Sequence, residues 1–142
     1  MSVDQDIKQF VDAIGAKEPS PDSETYAKWK AIFKRSNYFQ FNGKLMIVKI
    51  SRSKKPFWGV GKEFIDLLNL LDDYYLVLLI SGREGWVFSK TEVNAHIKGK
   101  KWNLREADNN YKINYPLLDK NSFFSPSNFL KRLGLPVENN AT

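Results

Sequence analysis

The feature that most constrains the fold is an unbroken apolar run near the middle of the chain. Residues 74–81 have the sequence YYLVLLIS, and no charged side chain interrupts residues 75–80. A strand that is covered on both faces tolerates such a run, whereas a strand with one face in water alternates apolar and polar residues. We therefore predict that residues 75–80 form a central strand of a sheet with helices on its faces.

Further strands and a crossover helix surround this run in the sequence. The segments YFQF and KLMIVKIS flank Asn42-Gly43, a dipeptide favoured in tight type I′ hairpins. After a polar loop, residues 61–71 have a helical pattern, and GWVFS follows a turn at residues 82–85. We expect residues 46–50 and 86–88 to flank the central strand, with the helix crossing over between the first two strands.

Helical patterns also lie at both ends of the chain. Apolar residues recur at helical spacing in residues 4–14, and residues 21–35 follow a Ser-Pro start. A capping box, Ser89 to Glu92, opens a short helix, and Ser125-Pro126 opens the last one.

Residues 100–121 are polar and are expected to be irregular, apart from a short edge strand at residues 111–115. This order predicts an α/β (or α+β) fold with a small mixed sheet. We expect one domain over residues 1–142, with a helical N-terminal part (1–35) and a loose tail (135–142).

Composition excludes several classes of site. The chain of 142 residues has no cysteine, which excludes disulfides, thiolate zinc sites and a cysteine nucleophile. No apolar run approaches the roughly 20 residues of a membrane span. The first ten residues, MSVDQDIKQF, lack the positive start and apolar stretch of a signal peptide. We therefore expect an intracellular, cytoplasmic protein with no membrane partner.

Two isolated features have structural explanations that we prefer to catalytic ones. The single histidine, His96, falls within the helix that begins after Ser89, and we expect it to be half-exposed. Residues 59–63 (GVGKE) precede a helix, but the Ser or Thr of a phosphate-binding loop is replaced by Glu63, and a third glycine is absent. We interpret these glycines as a helix start, with a nucleic-acid phosphate as the alternative ligand.

Two basic segments each place paired lysines close to a tryptophan. Residues 53–58 are SKKPFW and residues 97–102 are IKGKKW, in a chain of net charge +6. Lysines neutralise phosphates and release counterions, while an exposed indole can stack on a base. The candidate phosphate contacts are Arg52, Lys54, Lys55, Lys98, Lys100 and Lys101, and the candidate stacking groups are Trp58 and Trp102. The alternative is that the tryptophans are core residues and the lysines only solvate the loops.

The succession of hairpin, strand MIVKIS, helix, apolar strand YYLVLLIS and strand WVFS resembles the core of the PD-(D/E)XK nucleases, the restriction-endonuclease-like superfamily, over about residues 36–98. In that family the strand corresponding to residues 46–51 carries acid-x-Lys, in which the acid holds Mg²⁺ and the lysine orients the attacking water. Lys49 matches the lysine, whereas Ile47 stands at the position of the acid. The resemblance implies that Glu63 would supply a displaced acid, with Asp66 or Asp22 as a further metal ligand.

Three functions remain open on this basis. The first hypothesis is nucleic-acid binding, with DNA preferred over RNA, by a degenerate nuclease-like domain that needs no cofactor. The second is a Mg²⁺-dependent endonuclease that uses Lys49 and Glu63. The third is a protein-interaction subunit whose basic loops contact an acidic partner. Lys49 and Glu63 supply one carboxylate between them, and one carboxylate holds Mg²⁺ poorly, so we expect no metal-dependent cleavage.

Overall fold

The computed structural model describes residues 4–18, 37–115, 117 and 119–137. The helices in these ranges are α1 (Gln5–Ile14), α2 (Lys62–Leu68), α3 (Lys90–Lys98) and α4 (Pro126–Arg132). The strands are β1 (Tyr38–Phe41), β2 (Lys44–Ile50), β3 (Phe57–Gly61), β4 (Tyr74–Leu79), β5 (Gly85–Ser89), β6 (Asn103–Arg105), β7 (Asn110–Asn114) and β8 (Ser122–Phe123). The predicted mixed helix-and-strand class is confirmed, in its α+β form. The helix predicted at residues 21–35 lies outside the described residues.

The apolar strand β4 lies in the middle of a five-stranded sheet with the order β1-β2-β4-β5-β8. β2 and β4 run parallel, and every other neighbouring pair is antiparallel. All six residues of β4 are buried, as expected for a strand covered on both faces. The predicted central strand, its two neighbours and the crossover helix are therefore confirmed. α2 forms part of the connection from β2 to β4.

Two apolar clusters cover the faces of this sheet. On one face α1 and α4 pack together, and the rings of Phe10 and Phe129 meet edge to face with 5.1 Å between their centroids. On the other face, α2, α3 and a second, smaller sheet cover residues such as Leu76 and Phe88. Alternate residues of a strand share a face, so Lys49 lies on this second face with Leu45 and Ile47.

Local sequence signals fix the hairpin turn between β1 and β2 and the first residues of α3 and α4, as expected. Asn42 and Gly43 both have positive φ, 51° and 75°, which is the conformation that a type I′ turn requires of its two central residues. The capping box of α3 is formed, since Ser89 accepts from the backbone of Glu92 and the Glu92 carboxylate accepts from the backbone of Ser89. The Ser125 side chain caps α4. These predictions are confirmed. Within the described ranges no helix is both long enough and apolar enough to cross a membrane.

The smaller sheet, with the order β3-β7-β6, was not predicted. Residues 57–61 (FWGVG) form β3 rather than the approach to a helix, and their burial alternates between exposed and buried. The short strand expected at residues 111–115 is present as β7, but it is the middle strand of the sheet rather than an edge, and β6 lies in a segment that was expected to be irregular. β3 was missed because it pairs with β7 across about fifty residues of sequence, and β6 was missed because it has only three residues, so local patterns carry little of the information that specifies them.

Candidate nucleic-acid interface

Strand directions bring the two lysine-rich loops to the same end of the smaller sheet. β3 and β6 both pair antiparallel with β7, and therefore they run in the same direction. Residues 52–55 lie just before β3, and residues 98–101 lie just before β6. β3 and β6 are separated by one intervening strand, which corresponds to roughly 10 Å. The two loops thus enter the sheet side by side, although they are far apart in sequence.

The lysines of these loops are available to a ligand. Lys54, Lys55, Lys98, Lys100 and Lys101 are all exposed. None of them forms an ion pair with a carboxylate in the described part of the chain. Unpaired ammonium groups that share one end of a sheet form a positive patch suited to a chain of phosphates.

Arg52 differs from these lysines because two carboxylates already hold it. One guanidinium nitrogen, Nη2, donates to Asp4 Oδ1 at 2.5 Å and to Asp6 Oδ2 at 3.1 Å. The hydrogen bond from Arg52 lowers the pKa of Asp4 below its usual value. Asp4 also caps α1 by accepting from the backbone of Asp6. A phosphate that engaged Arg52 would therefore compete with the acidic start of α1.

The expectation that Trp58 and Trp102 stack on bases is corrected by their burial, since each side chain is only 3% exposed. Trp58 Nε1 donates to the carbonyl oxygen of Leu79 at 3.2 Å, at the carboxyl end of β4. Trp102 packs against Phe88, with ring centroids 5.0 Å apart. Both indoles are core groups, which is the alternative that the sequence had left open.

Phe57 is an exposed aromatic side chain at this place, beside exposed Tyr115, and the sequence interpretation missed it as a stacking group. Phe57 is 46% exposed because it alternates with buried Trp58 along β3. The ammonium group of Lys112, on the neighbouring strand β7, lies 4.9 Å from the centroid of the Phe57 ring. Gly59 is exposed on the same face of β3 and presents no side chain. The period-two pattern in FWGVG was the only sequence signal that distinguished Phe57 from Trp58.

A cavity of about 460 Å³ opens beside Phe57, at the carboxyl end of β2. Its lining combines aromatic, hydroxyl, amide and cationic side chains, and includes Asn37, Lys49, Ser51, Ser53, Phe57 and Trp58. Ser51 Oγ accepts a hydrogen bond from the Phe57 backbone at 3.2 Å, which holds the loop in a closed turn around the cavity. A volume in the range of ordinary ligand pockets, with a few converging polar groups, is typical of a binding site.

Lys49 and Arg52 are cationic residues of this lining, and Lys49 is the one without a carboxylate partner among the described residues. Its side chain is half-buried, and burial lowers the pKa of its ammonium group. The ammonium nitrogen lies 5.8 Å from the centroid of the Phe64 ring, close to the outer limit of a cation–π contact. No carboxylate of a described residue forms a salt bridge with it. An anionic group in the cavity would supply the missing counter-charge.

The acidic nuclease candidates that the structure describes form no ion pair with Lys49. Glu63 is exposed in the first turn of α2 and makes no ion pair with Lys49. Asp66 pairs with Lys62 instead, with 2.9 Å between the ammonium nitrogen and Oδ2. Asp22 lies outside the described residues. Among the residues the structure describes, no three acidic or histidine side chains gather where they could hold a metal ion.

His96 and the glycines before α2 have structural roles. His96 is buried rather than half-exposed, because its ring packs between Phe88 and Trp102. Its Nδ1 lies 2.7 Å from the carbonyl oxygen of Glu92, which identifies this nitrogen as the donor and fixes the ring on its own helix. Gly59 lies within β3, and Gly61 is the N-cap of α2 without a side chain to contribute.

Comparisons with protein-family models, with curated proteins and with solved structures gave no match. The resemblance to the PD-(D/E)XK nucleases stays a prediction from the sequence.

Proposed function

We propose that this protein binds nucleic acid, DNA in preference to RNA, through phosphate contacts at the shared end of the smaller sheet. The observation that carries the proposal is the position of the two lysine loops, which β7 brings side by side. The lysines are exposed and have no carboxylate partner among the described residues. The preference for DNA rests on the nuclease-like order of strands in the sequence. Lys112, on the intervening strand β7, would extend the positive patch, whereas Arg52 is held by Asp4 and Asp6.

Charge reversal with a salt titration tests this proposal. Affinity for a labelled duplex, measured by fluorescence anisotropy, is expected to fall steeply between about 50 and 200 mM salt. If the five loop lysines each contact a phosphate, the slope of log K against log salt will be about −4.5. The double variants Lys54→Glu/Lys55→Glu and Lys100→Glu/Lys101→Glu should each weaken binding for every probe sequence. Each should also reduce the slope by about 2.

A matched control separates a local effect from net charge. Lys17 and Lys131 are exposed, and they follow α1 and lie in α4, on the opposite side of the main sheet. The variant Lys17→Glu/Lys131→Glu changes net charge by the same amount and is expected to leave the salt slope within about 0.5 of wild type. Equal losses in all three double variants would contradict a defined interface. No binding to any DNA or RNA probe at low salt would favour an acidic protein partner instead.

A further inference from the structure

The cavity beside Phe57 has a lining that suits a nucleotide better than it suits a duplex backbone. Phe57 offers a partly exposed ring, and Asn37 and Ser53 offer amide and hydroxyl groups. The Asn37 side-chain amide forms no hydrogen bond with another described residue, so both its donor and its acceptor are available. A base in a duplex is stacked and paired, and cannot enter such a cavity without leaving its helix.

The charges around the cavity match the phosphate that would accompany a base. Lys49 lies in its wall without a carboxylate partner in the described ranges, and the Lys112 ammonium group lies 4.9 Å from the Phe57 centroid. A nucleotide whose base contacted Phe57 would bring its phosphate within reach of Lys112. The loop of Lys54 and Lys55 begins at the cavity wall, at Arg52 and Ser53. The strand could therefore continue from the cavity onto the lysine patch.

We propose that the cavity at Phe57 receives one unstacked nucleotide of a single-stranded or locally unpaired nucleic acid, with its base against the Phe57 ring. This inference rests on the proposed function and specifies its ligand. The base would stack on Phe57 and exchange hydrogen bonds with Asn37 or Ser53. Lys49 and Lys112 would neutralise the phosphates on either side. Stacking on an aromatic ring tolerates any base, so little sequence preference is expected.

The first test compares a labelled single strand of about twelve nucleotides with its duplex. Wild-type protein is expected to bind the strand more tightly. Phe57→Ala should weaken binding of the strand by roughly 5- to 150-fold, the effect of losing one base–aromatic stack. Binding of the duplex should change less than about twofold. Phe57→Ile, which keeps a strand-forming apolar residue but removes the ring, should show the same loss. Phe124→Ala, at a side chain that is 68% exposed before α4, is the matched control and should change neither affinity.

The second test removes the bases from the ligand instead of the ring from the protein. An abasic strand keeps every phosphate but loses both the stack and the hydrogen bonds of the base, so wild type should bind it at least as weakly as Phe57→Ala binds the normal strand. Phe57→Ala should cause no further loss with the abasic strand. Thymidine 5′-monophosphate should compete only at much higher concentration than the strand. Equal competition by the mononucleotide would overturn the inference in favour of a free nucleotide as the ligand.

Two outcomes distinguish this inference from the proposed function. Suppose that strand and duplex bind equally, Phe57→Ala and Phe57→Ile change nothing, and the lysine reversals still weaken both probes. The nucleotide cavity is then wrong, while nucleic-acid binding stands. Absence of salt-dependent binding to either probe overturns both. Circular dichroism melts of each variant establish that the loss of affinity does not come from unfolding.

Discussion

Replacement of Lys49 by methionine should make the protein more stable. The lysine side chain is half-buried in β2, opposite Leu78 of β4, and burial lowers the pKa of its ammonium group. A lowered pKa means that the charged form of the side chain costs free energy in the folded protein. The only compensating contact is the distant one to the Phe64 ring, as far as the described residues show. Methionine has a similar length and no charge to desolvate.

The expected gain in the free energy of unfolding for Lys49→Met is about 1–2 kcal/mol, the lower part of the range for exchanging buried charge for apolar groups. In a protein of this size that gain raises Tm by about 3–6 °C. The measurement is urea denaturation at neutral pH, followed by circular dichroism. Lys55→Met is the matched control, because the Lys55 side chain is exposed in a loop, and it should stay within about 0.5 kcal/mol of wild type.

The pH dependence of the stability difference between Lys49→Met and wild type tests whether the unpaired charge is its cause. At a pH below the lowered pKa, Lys49 is protonated in both the folded and the unfolded protein, and its full desolvation cost is present. Between the lowered pKa and the usual value of 10.5, the folded protein loses this proton first, so the cost disappears as pH rises. The advantage of Lys49→Met should therefore shrink towards pH 10.5. A variant less stable than wild type, or a gain that is the same at neutral pH and at pH 10.5, would refute the unpaired-charge explanation.

Two further predictions concern binding and cleavage. Asp4→Asn/Asp6→Asn frees Arg52 while asparagine still caps α1, so affinity for a labelled single strand should rise roughly threefold to tenfold at low salt in anisotropy titrations. Asp12→Asn in the same helix is the control, because Asp12 pairs with Lys8 away from Arg52. This control removes one negative charge instead of two, so a rise in log affinity about half as large would indicate a net-charge effect. In a gel assay with plasmid or single-stranded DNA, Mg²⁺ or Mn²⁺ should produce no cleavage. Cleavage that disappears in Glu63→Ala and in Lys49→Ala would show that a metal site had been misjudged.

The main sheet could be predicted because each of its specifying signals is local. The apolar run at residues 75–80 is removed from water only if both faces of the strand are buried. Asn42-Gly43 specifies the hairpin turn through its own backbone conformation. The capping boxes act within one turn of helix. Physical constraints that are satisfied within a few residues can be recognised from those residues alone.

β3 and the site could not be predicted in the same way, since both depend on contacts that are distant in sequence. β3 contains two glycines, and glycine weakens a strand, so its local sequence does not predict one. β3 forms because it pairs with β7, which is distant in sequence. Arg52 meets Asp4 across 48 positions. The same dependence on distant contacts explains why the burial of Trp58 was missed. A Lys-Lys-x-x-Trp segment does not by itself reveal which of its aromatic side chains points inward. Only the pairing with β7 turns Trp58 towards the core and leaves Phe57 outside.

The energetic cost of Lys49 favours a functional role for the cavity. Leu45 and Ile47, on the same face of β2, are apolar and buried, and the Cα partner of Lys49 in β4 is a fully buried leucine, so an apolar side chain would suit this part of β2. A half-buried cation without a carboxylate partner lowers stability, and such groups concentrate where a ligand uses the charge. The same Lys49→Met exchange that raises Tm should therefore weaken binding of the single strand. A variant with higher stability and unchanged affinity would leave Lys49 without a part in the site, and Phe57 would have to carry the nucleotide without it.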